Sequence, residues 1–366
     1  MPTLLETLLR PSSAEPALAE PGATKPRPMV VVITGASSGI GHATALAFAH
    51  QGARLVLASR HADTLAPVAK ACQKAGAAAA LGVPTDMTDP DAVDRLLRTA
   101  IGHHGHVDVW VNSVGVGAVG RFDETPVAAH RRVVETNLLS TLYGAHAALR
   151  HFRERGRGRL VNLISMGGWV AAPWAAAYTA SKFGMRGLSQ ALRAEVSDLP
   201  EVHVCDVAPT FVDSPGLSHA ANYTGHNIQP PLPRLDPRRV AHVVVDLARS
   251  PQPRATTWMG VGATPGRLAQ AFAPEMLGAM LRWATDKALG KARPSPHTDG
   301  NLFAPSRGTA IDGGHRAATQ RTIGRVALLG VVGLALGAWA ARSAPSLRHG
   351  EGAGGAASPQ PPQRMP

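Results

Sequence analysis

The feature that most constrains this chain is a rhythm. From Met29 onward, seven short runs rich in β-branched residues alternate with longer stretches dominated by Ala and Leu. The runs lie at 29–34, 54–59, 78–83, 107–112, 159–165, 202–207 and 256–261. Continuous apolar runs of this length suit strands buried on both faces, and the intervening stretches are long enough to be crossover helices. The expected fold class is α/β, a doubly wound seven-stranded parallel sheet. With 366 residues, 45% of them hydrophobic, the chain can bury such a core and still carry appendages.

The appendages are legible as breaks in the rhythm. Residues 1–28 carry Pro11, Pro16, Pro21, Pro26 and Pro28 among Ala, Ser and Glu, which describes a flexible leader. It is not read as a signal peptide, because the opening residues lack a basic region and Glu6 interrupts them. The principal domain is 29–263. Within it, 211–236 is rich in Pro, Gly, His and Asn, and an insertion beyond a strand's carboxyl end usually covers the ligand crevice. At 264–293, Leu268, Phe272, Met276, Met280 and Leu281 recur at helical spacing, giving an amphipathic helical extension. A polar, Gly- and Pro-rich linker is expected at 294–322, and a disordered tail at 343–366.

Between them, at 323–342, lies a candidate membrane anchor. Its run 326–341 is uninterrupted and apolar, bounded by Arg325 and Arg342. As a helix it would reach about 24 Å, short of the roughly 30 Å hydrocarbon core, so snorkelling arginines and mild bilayer thinning would have to close the gap. A buried or oligomer-packing helix is the alternative. Arg307, Arg316, Arg321 and Arg325 precede the run closely, which would keep the main domain on the cytoplasmic side. Without an anchor the expectation is a cytoplasmic protein.

The formal charge of +12 suits a phosphorylated cofactor, anionic lipid or nucleic acid. With aromatics at only 4% and no helix-turn-helix, zinc-finger or RNA-binding signature, no nucleic-acid partner is expected. Cys72 and Cys205 have neither the number nor the spacing of a disulfide framework or zinc site. No metal is expected.

Two constellations carry chemistry. The first is the turn Thr34-Gly35-Ala36-Ser37-Ser38-Gly39-Ile40-Gly41, between the first strand and a helix beginning near Ile40. Gly35 allows a sharp turn, Gly39 lets backbone approach a pyrophosphate, and Gly41 permits close helix–strand packing. The helix start offers unpaired N–H groups to phosphates. The next strand ends at Ser59, where an NAD site would place an acidic residue, and Arg60 follows. A guanidinium grips a 2′-phosphate, which a carboxylate would repel, so NADP(H) is expected over NAD(H).

The second constellation is Tyr178 and Lys182, four residues apart on a helical stretch and so on one face, with Ser165 ending a strand thirteen positions earlier. A free tyrosine has a pKa of about 10, and Lys182 with an oxidised nicotinamide would lower it toward neutrality for proton transfer. Ser165 can hydrogen-bond the substrate oxygen.

These residues resemble the short-chain dehydrogenases/reductases, in their shorter form, over about 29–263. The family's Thr-Gly-x-x-x-Gly-x-Gly turn stands at Thr34 to Gly41, its Tyr-x-x-x-Lys at Tyr178 to Lys182, and its serine at Ser165. Its active-site asparagine, which bends a helix to support a proton-relay water, falls on Asn137, and its adenine-contacting Asp on Asp86, followed by Met87. The resemblance implies a Rossmann fold, hydride transfer at the nicotinamide, Tyr178 as acid/base, Lys182 on the nicotinamide ribose, and a homo-oligomer. It makes 29–263 an NADP(H)-binding catalytic domain.

The pattern departs at two places. The family's Asn-Ala-Gly reads Asn112-Ser113-Val114-Gly115, in a stretch that holds the sheet and lines the cofactor. Its Pro-Gly turn followed by Thr reads Pro209-Thr210, with Ser214 near the usual Thr. The expected function is hydride transfer between NADP(H) and a small or lipid-like carbonyl or alcohol, with a non-catalytic NADP(H) sensor or scaffold as the alternative. A sugar-nucleotide epimerase is disfavoured by the glycine spacing.

Overall fold

In a computed structural model of the chain, which describes residues 27–227, 233–304 and 308–314, all seven runs are strands of one parallel sheet. They are β1 (Val30–Thr34), β2 (Arg54–Ser59), β3 (Ala79–Pro84), β4 (Val109–Asn112), β6 (Arg157–Leu163), β7 (Glu201–Pro209) and β9 (Thr256–Met259). Two further strands, β5 (Ala118–Val119) and β8 (Ala221–Asn222), form a short parallel pair apart from the main sheet.

The sheet order is β3-β2-β1-β4-β6-β7-β9. The chain winds outward from β1 to β3, then returns to the other side of β1 with β4. This reversal opens a crevice at the carboxyl ends of β1 and β4, where a doubly wound sheet binds its ligand. β1 is buried along its whole length, and its side chains alternate between two cores. Val31 and Ile33 pack with Phe48 of α1 (Gly39–Ala49), Leu65 of α2 (Ala62–Lys74) and Val244 of α8 (Pro237–Arg249). Val32 packs on the other face with Leu96 of α3 (Pro90–His104) and Phe152 of α5 (Ser140–Arg155). The strand's period of two thus explains why its sequence reads as one unbroken apolar run.

Around the crevice lie α4 (Val127–Val134), α6 (Ala176–Glu195) and the short α7 (Pro215–Ser218). The extension at 264–293 is two helices, α9 (Ala263–Phe272) and α10 (Pro274–Leu289), because Pro274 stands where a helix begins and cannot continue the one before it. Much of the predicted apolar stripe is exposed: Phe272 is 84% accessible and Met276 70%, while Leu277 is the buried residue of α10.

The stretch expected to be a linker, 294–322, is corrected over its described part. Thr298 pairs antiparallel with Asn222, and Leu302 is fully buried with Val116, Ala118, Val133 and Tyr223. Its polar composition serves main-chain pairing on the domain surface, with Leu302 as the apolar peg.

Among the described residues no helix is long and apolar enough to cross a membrane. The anchor reading of 326–341, the tail at 343–366 and the leader through residue 26 all lie outside the described residues.

Candidate active site

The glycine turn sits at the end of β1 with the conformations its sequence requires. Gly35 and Gly39 have φ of +66° and +53°, in the left-handed region that favours glycine. Gly41 is fixed by crowding instead: a Cβ there would lie 2.1 Å from the Gly35 carbonyl oxygen. The Gly35 side is closed by the chain leaving β4, since a Cβ on it would meet the Ser113 carbonyl oxygen at 3.0 Å. Thr34 ties the same two strand ends, donating to the Val111 carbonyl and accepting from the Ser113 N–H. α1 starts at Gly39, one residue before the expected Ile40, with Ser37 and Ser38 half-buried in the turn. The turn's own glycines thus put no side chain at the start of α1, which the Ser214 side chain and the Ala310 carbonyl approach from outside.

Arg60 follows β2, half-buried, and its pKa is lowered first by burial and then by the Arg132 guanidinium, against an opposing pull from Asp86. Asp86 accepts from the Thr88 N–H and hydroxyl at 2.9 and 2.8 Å. Burial raises its pKa, but these bonds and the nearby Arg132 and Arg60 outweigh it, and the carboxyl is held below its usual value. Arg132, on α4, is thus a second guanidinium whose charge reaches Arg60 and Asp86, while its own side chain donates to the Leu302 carbonyl at 3.0 Å and lies 3.8 Å from the Glu135 carboxylate. Sequence reasoning missed it because nothing in its local spacing links it to Arg60.

At two of the expected cofactor positions the side chain is engaged inside the fold, leaving the main chain as the part that could face a ligand. The Asn112 side chain is committed inside the sheet, accepting from Trp110 Nε1 at 2.8 Å and donating to Asn162 Oδ1 at 2.9 Å. Met87 packs its side chain into the core beside Val56 and Ala58. Pro209 ends β7, and Ser214 lies opposite the glycine turn, where a Cβ on Gly39 would come 3.3 Å from its own.

The catalytic candidates converge from three elements. Tyr178 and Lys182 lie one turn apart on α6, with Lys182 Nζ 5.8 Å from the Tyr178 ring centroid. Ser165 lies two residues beyond the end of β6 rather than within it. Its φ of +141° and ψ of +161° fall in a region that is otherwise glycine territory, at a cost of roughly 1–3 kcal/mol. Its hydroxyl accepts from the Gly167 N–H at 3.1 Å and lies close enough to Tyr178 to oppose the rise in the phenol's pKa. Gly167 keeps the approach open, because a Cβ there would press to 2.9 Å on the Tyr178 ring.

Asn137 stands in a π-helical turn, Glu135–Leu139, wedged between α4 and α5, so the expected helix distortion is present. Its Oδ1 accepts from the Val116 N–H at 2.8 Å, and its Nδ2 donates to the Val116 carbonyl and to Ser181 Oγ, both at 3.0 Å. Ser181 in turn donates to the Tyr178 carbonyl at 2.7 Å. This buried serine, inside the Tyr-x-x-x-Lys spacing, couples Asn137 to α6 and was not anticipated. Gly115 faces both partners: a Cβ there would be 3.6 Å from Asn137 Oδ1 and 3.8 Å from Lys182 Nζ.

Electrostatically, burial dominates both titrating groups. It raises the Tyr178 pKa, with the Ser165 hydroxyl opposing, and pushes Lys182 down to about 7. Lys182 Nζ donates to the Leu163 carbonyl at 3.1 Å, and among the described residues no carboxylate pairs with it. In the chain without nicotinamide, burial therefore sets the direction of the Tyr178 shift.

This geometry is that of a known family. The model for short chain dehydrogenases matches residues 29–223. The chain is also 32% identical over 272 residues to the uncharacterized oxidoreductase YxnA of Bacillus subtilis (strain 168), covering 73% of each chain. It belongs to the short-chain dehydrogenase family and is an oxidoreductase. 11-beta-hydroxysteroid dehydrogenase A of Arachis hypogaea is 34% identical over 186 residues, 50% of this chain and 52% of that one. Among solved structures, an alcohol dehydrogenase from the archaeon Thermococcus sibiricus complexed with 5-hydroxy-NADP superposes with a TM-score of 0.56 at 27% identity, covering 64% of this chain and 96% of that chain. A metagenomic short-chain oxidoreductase in complex with NADP gives 0.54 at 29% identity, covering 63% and 96%.

Proposed function

We propose that this oxidoreductase transfers hydride between NADP(H) and a small or lipid-like carbonyl or alcohol, with Tyr178 as the general acid/base. The observation that carries the reading is the convergence of Ser165, Tyr178, Lys182 and Asn137 around one crevice whose other wall is the glycine turn. The crowding at Gly35 and Gly41 fits a dinucleotide, since both glycines keep side chains away from the start of α1.

NADPH, when bound, supplies the hydride. The chain supplies everything else. Main-chain N–H groups at the start of α1 would hold the pyrophosphate, and Arg60, with the charge of Arg132 in reach, would hold the 2′-phosphate. An anion there would relieve the repulsion between the two guanidiniums, which supports NADP(H) over NAD(H). So do the NADP ligands of two solved relatives.

The Ser165 hydroxyl would orient the substrate oxygen, and the Tyr178 hydroxyl would give it a proton. A phenol whose pKa is raised stays protonated at neutral pH, so the site is prepared for reduction. The reverse direction needs a cation to bring Tyr178 down, a role for charged Lys182 and the oxidised nicotinamide. Asn137 and Ser181 hold α6 against the Val116 main chain, fixing where Tyr178 and Lys182 stand.

The test is turnover of the purified chain with NADPH and NADH against a panel of aldehydes, ketones and alcohols. NADPH oxidation is expected. Tyr178→Phe should cut it by at least about a hundredfold while leaving NADPH affinity nearly unchanged. Near-normal turnover in this variant would sink the role of Tyr178. NADPH binding with no turnover on any substrate would favour the sensor reading instead.

A further inference from the structure

Residues 308–314 run back across the outer side of the glycine turn, far in sequence from anything they touch. The Ala310 carbonyl accepts from the Gly39 N–H at 2.9 Å, and the Thr309 carbonyl accepts from His42 Nδ1 at 2.7 Å. Asp312 forms a bidentate pair with Arg238 at the start of α8, both bonds at 2.8 Å. The Gly313 N–H donates to the Asp213 carbonyl at 3.1 Å. The segment therefore joins the start of α1, the start of α8 and the first turn of the crevice-covering insertion. A cavity of roughly 190 Å³ lies between it and α7, lined by Pro215, Ser218, His219, Ala310 and Asp312.

The fit is close. A Cβ on Gly313 would come within 2.8 Å of both Asp213 Oδ1 and the Ser214 carbonyl oxygen. Ser214 itself already faces Gly39 across the mouth of the cradle. A helix start has four N–H groups without helical partners, and the segment draws on one of them, Gly39. Among the described residues it takes no other main-chain N–H of that start.

We propose that 308–314 is a clasp that holds the start of the insertion against the nucleotide cradle and sets how fast the cofactor enters and leaves. The proposal rests on the NADP(H) reading above. Cofactor bound beneath the clasp is retained until the Gly39, His42, Asp213 and Arg238 attachments let go together. Because the clasp bars the route in both directions, loosening it accelerates entry and exit alike. The Arg238–Asp312 pair is partly exposed and weak alone, so the main-chain bonds and the fit at Gly313 carry most of the hold.

The experiment is stopped-flow NADPH binding and dissociation, followed by energy transfer from tryptophan to the reduced nicotinamide, on the full chain and on Gly313→Ala and Asp312→Asn. Hydrogen exchange across 308–314 and the start of α1 in the cofactor-free proteins reports whether the clasp has loosened, and melting curves report whether the fold is intact. Association and dissociation rates should both rise, by about tenfold in Gly313→Ala, the equivalent of about 1.4 kcal/mol, and by less in Asp312→Asn. The equilibrium Kd should stay within about threefold, since both rates move together. A tighter Kd with an unchanged dissociation rate would mean the segment competes with the phosphates and would overturn the clasp. So would unchanged rates in a variant whose exchange shows 308–314 released. Absence of NADPH binding by the unmodified chain would overturn the NADP(H) reading, and the clasp with it, whereas normal binding with clasp-independent rates removes only the clasp.

Discussion

The seven-stranded sheet with its packed helices, and the covering stretches 211–227, 233–236, 294–304 and 308–314, solve the same problem by different means. In the first, position is set by parallel strands buried on both faces, with Val31, Ile33 and Val32 filling two opposed cores. In the second, the regular elements are small: the two-residue strand β8 paired to β5, a single turn of α7, isolated bridges at Val212–Leu235 and Asn222–Thr298, and Leu302 as a peg. The first is held by repeated side-chain burial and the second by individual hydrogen bonds. Local opening draws on weakly held regions of the second kind, and a crevice that must admit and release ligands needs one such wall.

The sharpest way to break this comparison is to impose the same steric insult on both parts. A Cβ on Gly41 would meet the Gly35 carbonyl oxygen at 2.1 Å, and one on Gly300 would meet the His219 carbonyl oxygen at 2.3 Å. Gly41→Ala has no room to relax, because α1 and β1 are both locked in the core, and NADPH affinity should fall by more than about a hundredfold. Gly300→Ala should detach the stretch around Leu302 locally and leave NADPH affinity within about tenfold, with faster proteolysis after residue 290 as its signature. Equal losses of NADPH binding in the two variants would show that the covering part is as integral to the cradle as the turn itself.

The same contrast explains what the sequence alone could reveal. The seven strands, the glycine turn and the Tyr178–Lys182 spacing are legible because each rests on local periodicity or on a fixed conformation such as the +66° φ of Gly35. The π turn at Asn137 was expected only through the family resemblance, since its causes, the bonds to Val116 and Ser181, come from residues 21 and 44 positions away. The docking of 294–304 and 308–314 was invisible. Its determinants are carbonyls and glycines meeting partners such as Gly39, 271 positions away, and a polar Gly- and Pro-rich stretch has the composition of a linker whether or not it docks. Asn112 shows the converse: the family motif suggested a stretch that holds the sheet, and its amide does so by donating to Asn162 in the next strand.

At the adenosine end the comparison can be sharpened by charge. Arg60→Ala should weaken NADPH binding by roughly ten- to a hundredfold and leave NADH nearly untouched, the measure being Kd for each nucleotide by fluorescence titration. Arg132→Ala, on the other wall of the crevice, should give a smaller loss of the same selectivity. If both cofactors lose affinity equally, Arg60 supports the loop after β2 and does not read the 2′-phosphate.

The smallest effect concerns the charge state of the site without cofactor. Burial pushes the Lys182 pKa from its ordinary 10.5 down to about 7, so between those values the unfolded chain holds a proton that the folded chain lacks. The unfolded state binds more protons in that window, and stability therefore rises with pH from about 7 toward 10. Tyr178 acts in the opposite sense only above its ordinary 10, because its raised pKa keeps the folded state protonated there while the unfolded state ionises. Lys182→Met removes the first contribution while keeping most of the side-chain volume. Melting temperatures of the cofactor-free native chain and this variant, taken from pH 6 to 10, should show the variant ahead near pH 6 and the gap narrowing by several degrees toward pH 10, since about 1 kcal/mol shifts a domain of this size by roughly 2–4 °C. A gap that stays constant across the range would mean that Lys182 keeps its proton inside the fold, stabilised by more than the Leu163 carbonyl, and that Tyr178 stands beside a permanent cation.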